Sequence, residues 1–209
     1  VLLGGGKGVD QAVTRSVDDL RLTTRGNTRI LDTVVQILET EGYEAVQLRE
    51  VARRSQTSLT TIYKHYANRD ELIAAAVQTW MDEHRFAKLA SQSPQPGESL
   101  YSGLMRVFRA IFLPWEEHPA MLTAYFRVRA APGGQHLVQH GLDKAVPTFL
   151  RVLEGIDDSF IADLDTIIST LVYGLLGRFA AGEIAVTDIV PILDRSVLHL
   201  TSGYQTQRR

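Results

Sequence analysis

Outside a few turn clusters, the apolar residues of this chain recur at helical spacing. Ile30, Leu31, Val34, Val35, Ile37 and Leu38 mark one face of a helix from about Asn27 to Glu41, with Gly42 placed to end it. Leu48, Val51 and Ala52 give a short second helix. The turn Ser55-Gln56-Thr57 follows, and Ser58 is an N-cap for a third helix that turns Leu59 and Ile62 inward, with Tyr66 one turn on. Asn68 caps a fourth helix, whose first-turn acids Asp70 and Glu71 suit the dipole and whose apolar stripe runs through Leu72, Ile73, Ala76, Val77 and Trp80 towards Ala90. The segment 91–99, with two prolines and a glycine, is a loop. Leu100, Leu104, Val107, Phe108, Ile111 and Phe112 form the next face, expected to end at Pro114. His118-Pro119 opens a helix carrying Met121, Leu122, Tyr125, Phe126 and Val128, broken by Ala131-Pro132-Gly133-Gly134. A helix from about Gln135 to Leu153 holds Pro147, which removes a backbone donor and is expected to kink it. The last two helices, at about 159–181 and 187–203, are the most apolar, with Pro191 tolerated in the first turn of the second. No stretch alternates with period two. The fold class is all-α: an N-terminal three-helix domain with a helix-turn-helix, then a larger C-terminal helical domain.

Composition narrows the class. The chain has 209 residues, 44% hydrophobic and 22% charged, enough for one or two domains with a real core. Cysteine is absent, which excludes disulfides, thiolate metal sites and cysteine redox sensing and suits a cytoplasmic location. No uninterrupted apolar run approaches the roughly 18 residues of a membrane span, and Val1-Leu2-Leu3 is too short for a signal-peptide core, so no membrane partner is expected. Gly4-Gly5-Gly6-Lys7-Gly8 lacks both the Ser or Thr of a P-loop and a preceding strand, so residues 1–24 read as a flexible arm, whose Arg15 and Arg21, with Arg25 beyond, are placed to touch DNA.

Charge and side-chain chemistry single out the third helix. Its outward residues are Thr60, Thr61, Tyr63, Lys64 and His65, a set ill suited to burial and well suited to donating to phosphates and base edges. From Ala45 to Arg69 there are five cations (Arg49, Arg53, Arg54, Lys64, Arg69) against the single acid Glu50, in a chain of formal charge −2. Such a local patch is what phosphate binding needs. The helix pair reads as a DNA-binding helix-turn-helix.

The longer stretch from Thr28 to Ile73 resembles the DNA-binding domain of TetR-family transcriptional regulators. The resemblance is carried by Ile30-Leu31, Gly42-Tyr43, Val51-Ala52, Thr61-Ile62-Tyr63, His65-Tyr66 and Arg69-Asp70-Glu71-Leu72. Gln56 stands where the family usually has Gly, so left-handed backbone there falls to a residue with a Cβ. Tyr66 replaces the usual Phe, and Arg69 the usual Lys. The resemblance implies a DNA-binding domain over 25–72 and a ligand-binding and dimerisation domain over 73–209. Ser58, Thr60, Thr61, Tyr63, Lys64 and His65 would then address the major groove and its flanking phosphates, while Thr28, Arg49 and Arg69 clamp the DNA backbone. Its expected partners are a pseudo-palindromic double-stranded operator, a small effector and a second copy, the last joined through the final two helices. The segment Gly42–Ala52 and the closing helix look like the branch of the family that represses lipid and sterol catabolism.

Aromatic and Met side chains gather between the loop and the last helix pair: Met105, Phe108, Phe112, Trp115, Met121, Tyr125, Phe126 and Phe149. Their spacing is that of core packing, while the family resemblance implies a ligand cavity among them, for a largely apolar effector of fatty-acyl or steroid type. Arg106, Arg109, Arg127 and Arg129 are candidates for an acidic head group. His136, His140 and Asp143 share a helix face, but no partner motif accompanies them and no metal or other cofactor is expected. Glu154, Asp157, Asp158, Asp163 and Asp165 form a run without the pairing that acid–base catalysis requires, so an enzyme is not expected. Two rivals remain beside a ligand-released repressor: an all-α enzyme, and a ligand-binding dimer without DNA recognition, each handling a small apolar acyl or steroid-like molecule.

Overall fold

A computed structural model describes residues 25–89, 92–131 and 134–207, and among them there is helix and turn but no strand. The arm expected over 1–24, with Arg15 and Arg21, lies outside the described residues; Arg25 is helical and exposed. The chain divides into two compact units, one through Ala76 and one from Val77.

In the first unit, α1 (25–40) contributes Ile30, Leu31, Val34, Ile37 and Leu38 to the core, as its spacing predicts. Gly42 ends it at φ 87°, its N–H donating to the Ile37 carbonyl. A short 3₁₀ turn, Tyr43–Ala45, leads to α2 (Leu48–Arg54), which buries Val51 and Ala52. Helix α3 (Leu59–His65) buries Ile62 completely and half-buries Leu59. Helix α4 (Arg69–Met81) begins in this unit with Leu72, Ile73 and Ala76 buried. Its start is capped as expected: the Asn68 side chain accepts from Glu71 N–H, while the Glu71 carboxylate accepts from Ala67 N–H.

The second unit starts with the rest of α4, which does not run on as α-helix towards Ala90. After Met81 the chain takes one π-helical turn, Asp82–Phe86, closed by Ala87 N–H donating to the Asp82 carbonyl at 2.8 Å. A regular continuation of the stripe through Val77, Trp80 and Met81 would face His84 and Lys88 inward. The inserted residue moves the buried positions to Arg85, Phe86 and Leu89.

Helix α5 (Leu100–Glu117) lies against the π turn, α6 (Pro119–Ala130), α7 (Gln135–Val152) and α9 (Ile189–Gln207). It runs through Pro114 instead of ending there, because proline removes only one donor and the helix needs just one further turn before His118. Pro147 likewise sits inside an unbroken α7. The start of α7 presses on the end of α6 so closely that a Cβ at Gly134 would lie 2.0 Å from the Val128 carbonyl oxygen; only glycine fits there. Tyr101 and Arg109 of α5 both donate to Asp194 of α9, each at 2.5 Å.

Helix α8 (Asp158–Ala180) buries Leu164, Ile168, Leu175 and Leu176 along one stripe, while Ile167 and Tyr173 are exposed, as is Leu198 on α9. By length and composition alone α8 is apolar enough to cross a membrane, and only 22% of its most apolar stretch is buried within this chain. A few charged residues interrupt α8, so its apolar character shows over the length of the helix and not as one unbroken run.

Candidate functional site

The reading surface is set by α3 and the turn before it. Helix α2 ends in a Schellman closure: Thr57 N–H donates to the Ala52 carbonyl at 2.9 Å, and Gln56 N–H to the Arg53 carbonyl at 3.4 Å. This geometry requires a left-handed residue, and Gln56 adopts it at φ 53°. The turn usual with Gly is therefore kept in this chain by a residue with a side chain. Ser58 caps α3, its hydroxyl accepting from Thr61 N–H at 3.0 Å and lying 2.9 Å from the Thr61 hydroxyl. The buried Tyr66 closes the far end, its hydroxyl donating to Asn27 Oδ1 on α1 at 2.7 Å. With both ends pinned and Ile62 at zero exposure, the other face of α3 is fixed outward.

Ser58, Thr60, Tyr63, Lys64 and His65 are exposed on that face and Thr61 is half-buried; Tyr63 keeps 56% of its surface open. An aromatic so exposed on a seven-residue helix gains nothing from its own core. Arg49 and Thr28 are exposed as well.

The cations of the patch divide into two groups. Arg53 and Arg54 both donate to Glu50, and Arg54 also donates to Glu41, just past the end of α1. These bonds from Arg53 and Arg54 hold the Glu50 carboxyl at a pKa of about 2, and that from Arg54 lowers Glu41 as well. Arg69, expected to clamp the DNA backbone, has another occupation. Its guanidinium donates to the carbonyls of Tyr43 and Val46 and lies 4.6 Å from the centre of the Tyr43 ring. It supports the loop between α1 and α2. Arg49 and Lys64 have no ion-pair partner among the described residues, so the positive charge available to a ligand is smaller and more local than the residue count implies.

In the second unit, Met105, Phe108, Phe112, Trp115, Met121 and Tyr125 are buried, and Phe126 and Phe149 are half-buried. The structure brings them together in ring contacts: Phe108 meets Phe112 and Phe149, and Tyr125 meets Trp115 and Phe126. The arginines proposed for an acidic head group are mostly occupied. Arg106 forms two bonds of 2.9 Å to Glu98, Arg109 pairs with Asp194, and Arg129 lies over the rings of Phe126 and Tyr173. Arg127 is exposed. His140 pairs with Asp82 of the π turn at 2.7 Å and Asp143 with Gln139 at 2.8 Å, so the helix face of His136, His140 and Asp143 does not converge.

Sequence reasoning missed one residue of this unit. Arg85 is only 8% exposed, donating through Nε to the Ile111 carbonyl at 2.8 Å with its guanidinium 4.5 Å from the centre of the Trp115 ring. On an ordinary helix its position is polar, and no sequence signal announces the π turn that carries it inward.

Taken together, a short helix with a fixed polar outer face, in a unit separate from a larger aromatic-cored helical one, defines a helix-turn-helix DNA-binding protein with its own effector module. Residues 30–76 match the family described as bacterial regulatory proteins, tetR family, and residues 97–200 match the tetracyclin repressor-like C-terminal domain. The chain belongs to the TetR family of transcriptional regulators, and is a ligand-responsive DNA-binding regulator. It is 25% identical over 185 residues to the HTH-type transcriptional repressor KstR of Rhodococcus jostii, covering 83% of this chain and 85% of that protein. Over 49 residues, 23% of this chain and 24% of the relative, it is 39% identical to the repressor KstR of Mycolicibacterium smegmatis. Among solved structures, a TetR transcriptional regulator from Rhodococcus sp. RHA1 superposes with a TM-score of 0.62 at 19% identity, over 85% of this chain and 95% of that one, a likeness of fold.

Proposed function

We propose that this chain is a cytoplasmic repressor that holds a pseudo-palindromic operator as a homodimer and leaves it when a small, largely apolar effector enters the second unit. The observation that carries the reading is the α3 face: Thr60, Tyr63, Lys64 and His65 exposed around a fully buried Ile62. Thr61, Tyr63 and His65 address base edges, Lys64 with the capped N-terminus around Ser58 and Thr60 addresses phosphates, and Thr28 and Arg49 hold the flanking backbone. Arg69 acts at one remove, by fixing the loop from Tyr43 to Val46. The two copies join through α8 and α9, a reading supported by the exposed Ile167, Tyr173 and Leu198. Repression is supported by the likeness to the KstR relatives, which are transcriptional repressors. The aromatic interior of the second unit favours an apolar effector of fatty-acyl or steroid type. Its entry shifts α4, which starts beside the DNA reader and ends in the effector unit, and so changes the spacing of two reading helices that must lie about 34–36 Å apart.

Binding of the full chain to a promoter fragment, followed across a salt series, tests this. Lys64→Ala weakens binding to all sequences and lowers the salt slope by about 1, whereas Thr61→Ala changes preference at one base position by about 1–3 kcal/mol. Unchanged binding in both variants would remove α3 from the interface. Turnover of an acyl or steroid compound without duplex binding would overturn the regulatory reading altogether.

A further inference from the structure

The interior of the second unit contains more hydrogen-bond donors than acceptors at one point. Arg85 has a single hydrogen bond, from Nε to the Ile111 carbonyl, and no carboxylate among the described residues lies within ion-pair distance of it. Its other neighbours are aromatic: Trp115, with ring centre 4.5 Å from the guanidinium carbon, and Phe86, at 5.0 Å. Trp80, 1% exposed, stacks on the same Trp115 at 4.8 Å, and its indole N–H has no acceptor. Buried donors in native proteins are almost always satisfied, and a buried cation is nearly always paired. Trp80, a buried donor without an acceptor among the described residues, and Arg85, a nearly buried cation without an acid among them, stand on one helical segment and both contact the Trp115 ring, which calls for an acceptor supplied from outside the chain.

Burial lowers the Arg85 pKa to about 9, which still leaves a cation at neutral pH. Elsewhere in this unit Arg106 is held by Glu98, Arg109 by Asp194 and Arg129 by two rings, while Arg127 is exposed at the surface. Arg85 lies within the π turn, a feature that recurs at functional sites.

We propose that the effector is an apolar carboxylic acid whose carboxylate pairs with Arg85 in the interior of the second unit, with Trp80 donating to an oxygen of the same molecule. This rests on the reading above that the effector enters this unit; it adds the charge of the ligand and the residue that receives it. A guanidinium favours a carboxylate through paired N–H donors, and the aromatic walls suit a hydrocarbon body. Fatty acids and steroid acids share this chemistry.

Calorimetry on the full chain with dodecanoate, 1-dodecanol, cholate and cholate methyl ester separates the possibilities. At least one acid should bind about tenfold or more tighter than its neutral counterpart, and which acid does so distinguishes chain from steroid. Arg85→Met should abolish that preference, bringing the acid to within about twofold of its neutral counterpart in the same variant, and Arg85→Lys should restore part of it. Trp80→Phe keeps the ring, loses the donor and should weaken the acid about threefold to tenfold. Circular dichroism confirms folding, and Arg85→Met should melt no lower than the parent, because it removes a buried unpaired charge. The proposal is overturned if neither acid is preferred in the parent chain, or if Arg85→Met retains the preference. Salt-dependent retention on promoter DNA, measured in parallel, shows whether the regulatory reading survives that failure.

Discussion

Arg69 and Arg85 show how differently the two units use the same side chain. Arg69 is part-exposed in the DNA-reading unit and its donors reach two backbone carbonyls and an aromatic face. Arg85 is buried in the effector unit with one carbonyl, two rings and no acid. The first arrangement is self-sufficient, and its purpose is to keep a loop in place so that α3 stays aimed. The second is incomplete within the chain. A surface meant to meet DNA is best built rigid beforehand, whereas an interior meant to admit a small molecule keeps an unfilled bonding capacity at its centre.

The largest expected effect lies in the effector unit. Trp115→Ala removes the ring shared by Trp80, Tyr125 and Arg85 and should cost about 3–5 kcal/mol in urea unfolding, with a separate transition for the DNA-reading unit left unmoved. A joint loss in both transitions would mean that the contrast between the units does not hold energetically. Arg69→Met comes next: with the Tyr43 and Val46 carbonyls deprived of their donor, stability of the first unit should fall by about 1–3 kcal/mol, while the salt slope of DNA binding stays within error of the parent. A lower slope would return Arg69 to the phosphate backbone. Gln56→Gly should stabilise by about 1 kcal/mol, since glycine carries no penalty at φ 53°.

The smallest effect is a pH dependence. Glu50 has a folded pKa of about 2 against 4.5 for the unperturbed carboxyl, so its bonds to Arg53 and Arg54 contribute stability that is fully present above pH 4.5. That contribution is lost as pH falls towards 2. Glu50→Gln should flatten the acid limb of an unfolding titration in this window, and an unchanged limb would show that other carboxylates set it.

Much of the first unit was legible in the sequence because its determinants are local. The spacing of Ile30, Val34 and Ile37, the cap at Ser58 and the need for a left-handed residue at Gln56 all depend on neighbours within a few positions. What local pattern does not reveal is which cations are already paired. Arg54 reaches Glu41 thirteen residues away and Arg69 reaches Tyr43 twenty-six away, and both pairings follow only from how the helices cross. In the second unit the core composition was legible in Trp115, Met121 and Phe108, and α5 passed through Pro114 because one missing hydrogen bond near a helix end is tolerated. Arg85 was not legible. Its burial depends on a shift of helical phase that the order of apolar residues does not encode.

That shift makes the chain length between Asp82 and Phe86 matter as much as the residues it carries. Deleting a single residue would keep nearly every side-chain type yet rotate all that follows on the helix by roughly a quarter-turn, swapping outward and inward neighbours.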